Sequence, residues 1–383
     1  MIDLEVITTF AFFLIVSILI ILDRKNIQFQ YGIILRRWKR GVKILDKIVE
    51  KGEKFLKNVG DAAIVICLMA SFIGIGFLLY SVIRLKPSLG IVLPTAGAFR
   101  YPAPIISVPF WYWLVSIFIV LTAHESMHAL FIRLAKVPIK NYGIVTFLAL
   151  PIGAFVDPDT KRLKSSSFEE KLRIYAAGSF SNFIVALFIY LLAFCSIAVI
   201  NAFIESTGVK IGSTIPGTPA YNASISGILQ KIDNFRIKSI SDLDAFLKNA
   251  SVGQEITVYT DKGVYSIKLI GRPENETLPF IGIANLTNVY EYKWIFSGIV
   301  PDFVISSIQT WLNLLFWLFL FNTGVGIFNM LPLRPLDGGL ICEEILNRKV
   351  GKKSKVLMRA IELIVLVLVV FSLFVGFISR TFI

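Results

Sequence analysis

Leu121-Thr-Ala-His124-Glu125-Ser-Met-His128-Ala-Leu130 carries the only two histidines among the 383 residues of the chain. Histidines four apart lie just over one helical turn from each other, so both imidazoles leave one face of a helix, about 6 Å apart along its axis, with Glu125 beside them. Two nitrogen ligands and a general base in this pattern suit zinc. The flanks, Trp111-Tyr-Trp-Leu-Val-Ser-Ile-Phe-Ile-Val120 before and Leu130-Phe-Ile-Arg133 after, are apolar on every face. A zinc-binding helix on the surface of a soluble protein needs a polar face. The plain alternative is a pair of packing histidines satisfied by neighbours. Against it, an acid at membrane depth costs roughly 2.5 kcal/mol or more, and such groups are functional by default.

Composition sets the class independently. With 55% hydrophobic residues and 32 phenylalanines, the chain is too apolar for a soluble fold, and several runs exceed the ~18 residues that span a bilayer. The expected architecture is a polytopic α-helical membrane protein of about six transmembrane helices with a re-entrant β-hairpin, into which a small α/β extramembrane domain is inserted. Residues 1–109 form a two-span N-terminal region, whose first span (about Leu4 to Leu22) follows Asp3 and Glu5 and lacks a small-residue cleavage site, so it reads as a retained anchor. Asp23 to Gly60 carries eleven Lys/Arg, with Ile44, Leu45, Ile48, Val49, Phe55 and Leu56 at helical spacing. This predicts a basic amphipathic helix on the cytoplasmic leaflet. The net charge of +13 is thereby a matter of topology, and a nucleic-acid partner is not expected.

Residues 110–204 hold the HExxH helix, the Gly- and Pro-broken stretch Tyr142 to Val156, which reads as a re-entrant hairpin, and a fourth span from about Ile174 to Phe203. Residues 205–290 are polar, alternate in strand fashion at Glu255 to Tyr259 and Val264 to Leu269, and contain all four N-x-[ST] sequons, at Asn222, Asn249, Asn275 and Asn285. This is the inserted domain, expected on the extracytoplasmic side, with a helix starting at Ser241. Residues 291–383 supply one crossing distorted at its inner end near Pro332, a basic loop from Arg348 to Lys355 and a last span from about Ala360 to Ile378. Cys67, Cys195 and Cys342 share no metal-type spacing and read as small core residues.

A catalytic zinc commonly has three protein ligands. With no third histidine and no suitable cysteine, the remaining ligand is a carboxylate. Asp337 in Leu333-Arg-Pro-Leu-Asp337-Gly338-Gly339 is the candidate, because that broken segment enters the membrane from the side on which His128 lies. An ordinary turn is the competing reading of Asp-Gly-Gly, and Asp157 is the next carboxylate to consider.

Four blocks occur in order: His124-Glu-Ser-Met-His128; Pro151-Ile-Gly153-Ala154-Phe155-Val-Asp157; Leu172 through Gly178-Ser-Phe-Ser-Asn182; and Asn329-Met-Leu-Pro332-Leu-Arg-Pro-Leu-Asp337-Gly338. In these the chain resembles the site-2 protease family of intramembrane zinc metalloproteases over roughly Phe110 to Asn347. The resemblance implies a Zn2+ cofactor held by His124, His128 and Asp337, with Glu125 activating the water. It implies that Asn329 holds the substrate backbone. A substrate helix must be unwound near the zinc, and Pro151 to Val156, with Gly153, Ala154 and Phe155, is expected to offer it an extended edge by β-augmentation; Asn182 is read as a further substrate-binding residue. The implied substrates are single-span membrane proteins such as membrane-anchored regulators, cut in or near their transmembrane helices in the lipid bilayer of the cell membrane. The insert resembles a PDZ domain in its order of turn, strand and helix, from Gly217-Thr-Pro-Ala220 to Ile232 through Leu243, although no glycine-rich carboxylate-binding loop is evident. Two other readings share the histidine motif: a membrane-anchored zincin acting at the bilayer surface, and a non-enzymatic membrane chaperone or metal carrier.

Overall fold

The computed structural model describes residues 4–30, 33–38, 42–97, 99–102, 105–147, 150–273, 275–292 and 303–378. Lys39 and Arg40 of the basic run, residues 148–149 of the expected re-entrant stretch and the extreme termini lie outside them. The helices are α1 Leu4–Leu22, α2 Val42–Arg84, α3 Phe110–Leu134, α4 Thr160–Ser165, α5 Phe168–Phe203, α6 Pro219–Asn222, α7 Ile240–Asn249, α8 Phe303–Asn329, α9 Asp337–Val350 and α10 Ser354–Ile378. Six helical stretches among the described residues are long and apolar enough to cross a membrane, one of them running from α9 through α10. Their outward faces are apolar too, with Phe10, Phe72 and Phe303 each about 70% exposed, a pattern suited to hydrocarbon and not to water. The chain is a multi-pass integral membrane protein.

By contact the chain divides into two compact units, Met1–Ala193 with Leu312–Ile383, and Phe194–Trp311. In the first, α2 packs through a seam of mostly small residues every three or four positions: Gly60, Ala63, Cys67, Ala70, Gly74, Leu78 and Ser81 are all buried. Small side chains let helices approach closely where lipid offers no hydrophobic drive to pack. Ala63, Cys67 and Ala70 meet Leu172, Ala176 and Phe180 of α5 together with Met330 and Ile341, while Leu56 joins Phe131 and Ile132 of α3 and Ile174 and Ala177 of α5. Glu5 of α1 accepts hydrogen bonds from the backbone N–H groups of Gly97 and Phe110, each at 3.1 Å, so an acid from another helix satisfies an orphan donor at the start of α3.

Before α3 lie strands β1 Ile27–Gln30, β2 Ile33–Trp38, β3 Ile91–Thr95 and β4 Ile105–Pro109, and after it β5 Ile139–Phe147 and β6 Leu150–Pro158. β5 and β6 form an antiparallel hairpin, with Ile144 opposite Ala154 and Val145 opposite Gly153. β1 and β2 extend it into a four-stranded sheet of order β1-β2-β5-β6. This corrects the amphipathic-helix expectation for its first part: Ile27–Gln30 and Ile33–Trp38 are strands, and among the described residues helix starts at Val42 and runs, through a kink at the non-helical Gly52, into the second span. The reason is pairing, since β2 runs along β5 from Ile33 opposite Phe147 to Trp38 opposite Tyr142. The expected loop at Arg348 to Lys355 shrinks to a single 3-10 turn, Gly351–Lys353, between α9 and α10. Of the cysteines, Cys67 is buried and gives its thiol hydrogen to the Ala176 carbonyl, whereas Cys195 is exposed and Cys342 half-buried, so only the first is a core residue.

The second unit has strands β7 Ile204–Ile211, β8 Ser213–Thr214, β9 Gly227–Ile232, β10 Phe235–Arg236, β11 Glu255–Thr260, β12 Gly263–Lys268, β13 Ile270–Arg272, β14 Asn275–Phe280, β15 Ile283–Ala284 and β16 Thr287–Tyr292. Its main sheet has the order β12-β11-β9-β7-β16 with β10 paired to β9. Val209 with Ile211 and Ile256 with Val258 alternate onto one core, which Leu229, Ile232 and Ile267 share, the three-residue step on β9 spanning an irregularity in its pairing with β11, and which Ile237 and Leu243 of α7 close. α7 starts at Ile240, and its cap lies two residues before the expected Ser241. Its cap is Ser239, whose hydroxyl accepts from the Asp242 N–H while the Asp242 carboxylate accepts from the Ser239 N–H.

Candidate metal centre

Helix α3 presents His124 and His128 as their spacing requires, and α9 begins with Asp337 as its first residue. Three ligand atoms converge. The two Nε2 atoms lie 3.1 Å apart, and Asp337 Oδ2 is 3.3 Å from each. Bonds of 2.0–2.1 Å at tetrahedral angles set the ligand atoms of zinc about 3.3 Å from one another, so the triangle has the edge length a tetrahedral ion demands. Asp337 Oδ2 is buried and has no hydrogen-bond partner. A carboxylate oxygen left so is costly, and a cation at the centre of the triangle would satisfy it. Among the described residues this is the one group of three such side chains placed to hold a metal ion. Asp157, at the end of β6 opposite Asn141, is not part of it.

The supports of these ligands come from the backbone. His128 Nδ1 lies 2.7 Å from the Ile174 carbonyl of α5; a carbonyl only accepts, so Nδ1 carries the proton and Nε2 is left bare for a metal. Asp337 is placed by the turn between α8 and α9. Arg334 in that turn donates to Glu343 of α9 at 2.8 Å and to Glu362 of α10 at 2.6 and 3.0 Å, and its guanidinium is held charged above its usual range by hydrogen bonds to these carboxylates, Glu362 first. Gly338 follows because the start of α9 is pressed onto the end of α8: a Cβ there would overlap the Met330 carbonyl and lie 2.7 Å from that of Leu331.

A cavity of about 400 Å³ opens at the triangle. Its walls include His124, Glu125, His128 and Asp337, then Gly153, Ala154 and Phe155 of β6, and Asn329 at the end of α8. Eight of the nine residues singled out in the sequence therefore surround one space. The exception is Asn182. It is fully buried in α5, and its amide meets His124 Nδ1 at 3.3 Å, so it faces a ligand and not the open cavity. Two contributors were given no role in the sequence, Gly178 being quoted only as part of a block. The Ile174 carbonyl is a backbone group and leaves no trace in side-chain identity. Gly178 does leave one, as a glycine inside an apolar helix: a Cβ there would collide with His128 Nε2 and stand 2.6 Å from His124 Nε2. Both ligand nitrogens reach their positions because that Cβ is missing.

Residues 112–374 match the model of the family described as Peptidase family M50. An uncharacterised protein of Methanocaldococcus jannaschii is 26% identical over 342 residues, covering 85% of this chain and 82% of that one. A Clostridium perfringens protein named a "putative zinc metalloprotease" is 25% identical over 251 residues, covering 53% of this chain and 73% of its own. Family membership implies zinc metalloprotease activity, and the donor set of two imidazoles and a buried carboxylate fits that metal. Its geometry and the extent of the match agree that the chain belongs to peptidase family M50, the site-2 protease family.

Proposed function

We propose that the protein is an intramembrane zinc endopeptidase that hydrolyses peptide bonds in or near the transmembrane helices of single-span membrane proteins, in the manner of regulated intramembrane proteolysis. One observation carries this reading: the ligand triangle, Glu125 and the strand β6 share one cavity in a unit whose long helices are apolar enough to span a bilayer.

A bound zinc ion supplies Lewis acidity toward the scissile carbonyl and lowers the pKa of a water toward 7. Glu125 is the general base placed to take that water's proton, and the same carboxyl returns it to the leaving amine. A helical substrate has every backbone group satisfied internally, so its scissile bond must be exposed by local unwinding. In the order β1-β2-β5-β6 the strand β6 has a partner on one side only among the described residues. Gly153, Ala154 and Phe155 offer the unwound segment hydrogen-bonding partners along that edge, which offsets the cost of leaving helix. Asn329, which lines the same cavity, would hold a substrate carbonyl or amide by its side chain.

The test uses purified protein in lipid nanodiscs with a labelled single-span substrate lacking extramembrane loops. Wild type should cut it within or next to the span. Glu125→Gln should keep its zinc and lose at least about 100-fold in rate, the ordinary contribution of a general base. Cleavage confined to soluble segments would favour a surface zincin instead, and undiminished function in the Glu125→Gln strain would favour a chaperone or metal carrier.

A further inference from the structure

Ile174, Gly178 and Asn182 follow one another at four-residue intervals along α5 and therefore form one stripe on that helix. The stripe is laid against the two histidines of α3. Its first residue supplies the carbonyl at His128 Nδ1, its second leaves room for both Nε2 atoms, and its third reaches His124 Nδ1. Only the last contact is unresolved in its chemistry. As placed, the amide nitrogen of Asn182 faces the ring nitrogen at 3.3 Å, while Asn182 Oδ1 is buried without a hydrogen-bond partner. For His124 to coordinate through Nε2, as its position in the triangle requires, the ring proton must sit on Nδ1. Two N–H donors then point at each other, and an acceptor lies orphaned beside them. Amide nitrogen and oxygen exchange places by a half-turn. That turn removes the clash of donors and satisfies the orphaned oxygen in one step.

We propose that Asn182 is the positioning residue of His124: its amide oxygen accepts the Nδ1–H of that imidazole and so presents Nε2, free of a proton, to a divalent cation. The inference rests on the zinc reading above and assigns the buried Asn182 to metal retention, not to substrate contact. α5 then holds both histidines from behind, one by a backbone carbonyl and one by a side-chain carbonyl, which fixes tautomer and ring angle together.

The measurement is zinc affinity of the full-length protein in detergent, by competition with a chromogenic chelator, for wild type, Asn182→Leu and Asn182→Asp. Leucine keeps the volume and removes the acceptor; aspartate keeps an acceptor at the same reach. Asn182→Leu should lose about 10–100-fold in affinity, the usual effect of removing such a partner, and added zinc should restore its proteolysis. Asn182→Asp should stay within the order of magnitude of wild type. Where the leucine variant does not fold, Asn182→Ser, too short to reach the ring, takes its place with the same expectation. Wild-type affinity in the leucine or serine variant, or equal loss in the aspartate and leucine variants, overturns the assignment. Absence of zinc binding in wild type would instead overturn the metal reading itself, so the two failures are distinct.

Discussion

At the residue scale the metal centre is as dependent on a missing atom as on those present. Because a Cβ at Gly178 would lie 2.6 Å from His124 Nε2, Gly178→Ala should reduce zinc content to below a tenth of wild type by elemental analysis of purified protein. Gly324→Ala is the control, since nothing lies within 4 Å of a Cβ there, and it should leave zinc unchanged. His124→Ala and Asp337→Ala should both empty the site, the second because Asp337 Oδ2 is the only carboxylate oxygen in the triangle; full zinc occupancy in Asp337→Ala would place the third ligand elsewhere. The histidine pair was legible from its rarity and spacing; elimination of the other donor types reduced the third ligand to a carboxylate, and the resemblance over Asn329 to Gly338 pointed to Asp337. What Asn182 does was not legible. A motif locates a side chain on a helix face, but the direction of that face depends on how α5 packs on α3, and this rests on Leu56, Phe131, Ile174 and Ala177 meeting from three helices.

The long apolar helices could be read from the chain because their signal is local and repeated over twenty or more residues. The first span, expected at about Leu4 to Leu22, is found at Leu4–Leu22. β1 and β2 escaped because four and six residues carry little periodicity and the partner strand β5 lies more than a hundred positions further on; the helical spacing that begins at Ile44 was extended backwards over them. The α7 cap was misplaced for a related reason. Ser239 and Ser241 are both capping residues, and only the reciprocal bonds of Ser239 with Asp242 decide between them. Ser239→Ala should therefore weaken α7, at a cost of about 1 kcal/mol, seen as faster hydrogen exchange over Ile240–Asn249. Ser241→Ala should have no such effect, and neither substitution should alter zinc content. Equal exchange in the two variants would show the cap to be energetically idle.

On the scale of the whole molecule, the concentration of Lys and Arg in Arg24 to Lys57, Lys161 to Arg173 and Arg348 to Lys355 sets the expected orientation, with those segments cytoplasmic and Glu205 to Tyr290 extracytoplasmic. Cys195 is exposed, so labelling starts from a Cys195→Ser background. Cysteines introduced at the exposed Lys262 and Lys352 should then react from opposite sides in intact cells, and the same side for both would break the six-crossing arrangement. The inserted segment 205–290, which contains no histidine, is expected to filter substrates by the size of their extracytoplasmic part. Replacing 205–290 by a short flexible linker should preserve zinc and allow cleavage of an untrimmed substrate that the intact protein rejects. A zinc-loaded deletion that cuts neither trimmed nor untrimmed substrate would show presentation instead. The insertion also separates the ligands in time. Asp337 follows His128 by 209 residues, and at ordinary rates of synthesis the ribosome needs roughly 10 to 40 s to cover that distance. Throughout that interval a nascent chain owns its two imidazoles without the carboxylate that closes the triangle. A chain at that stage lacks the complete ligand set, so on the zinc reading it can become a working peptidase only after Asp337 has reached the membrane.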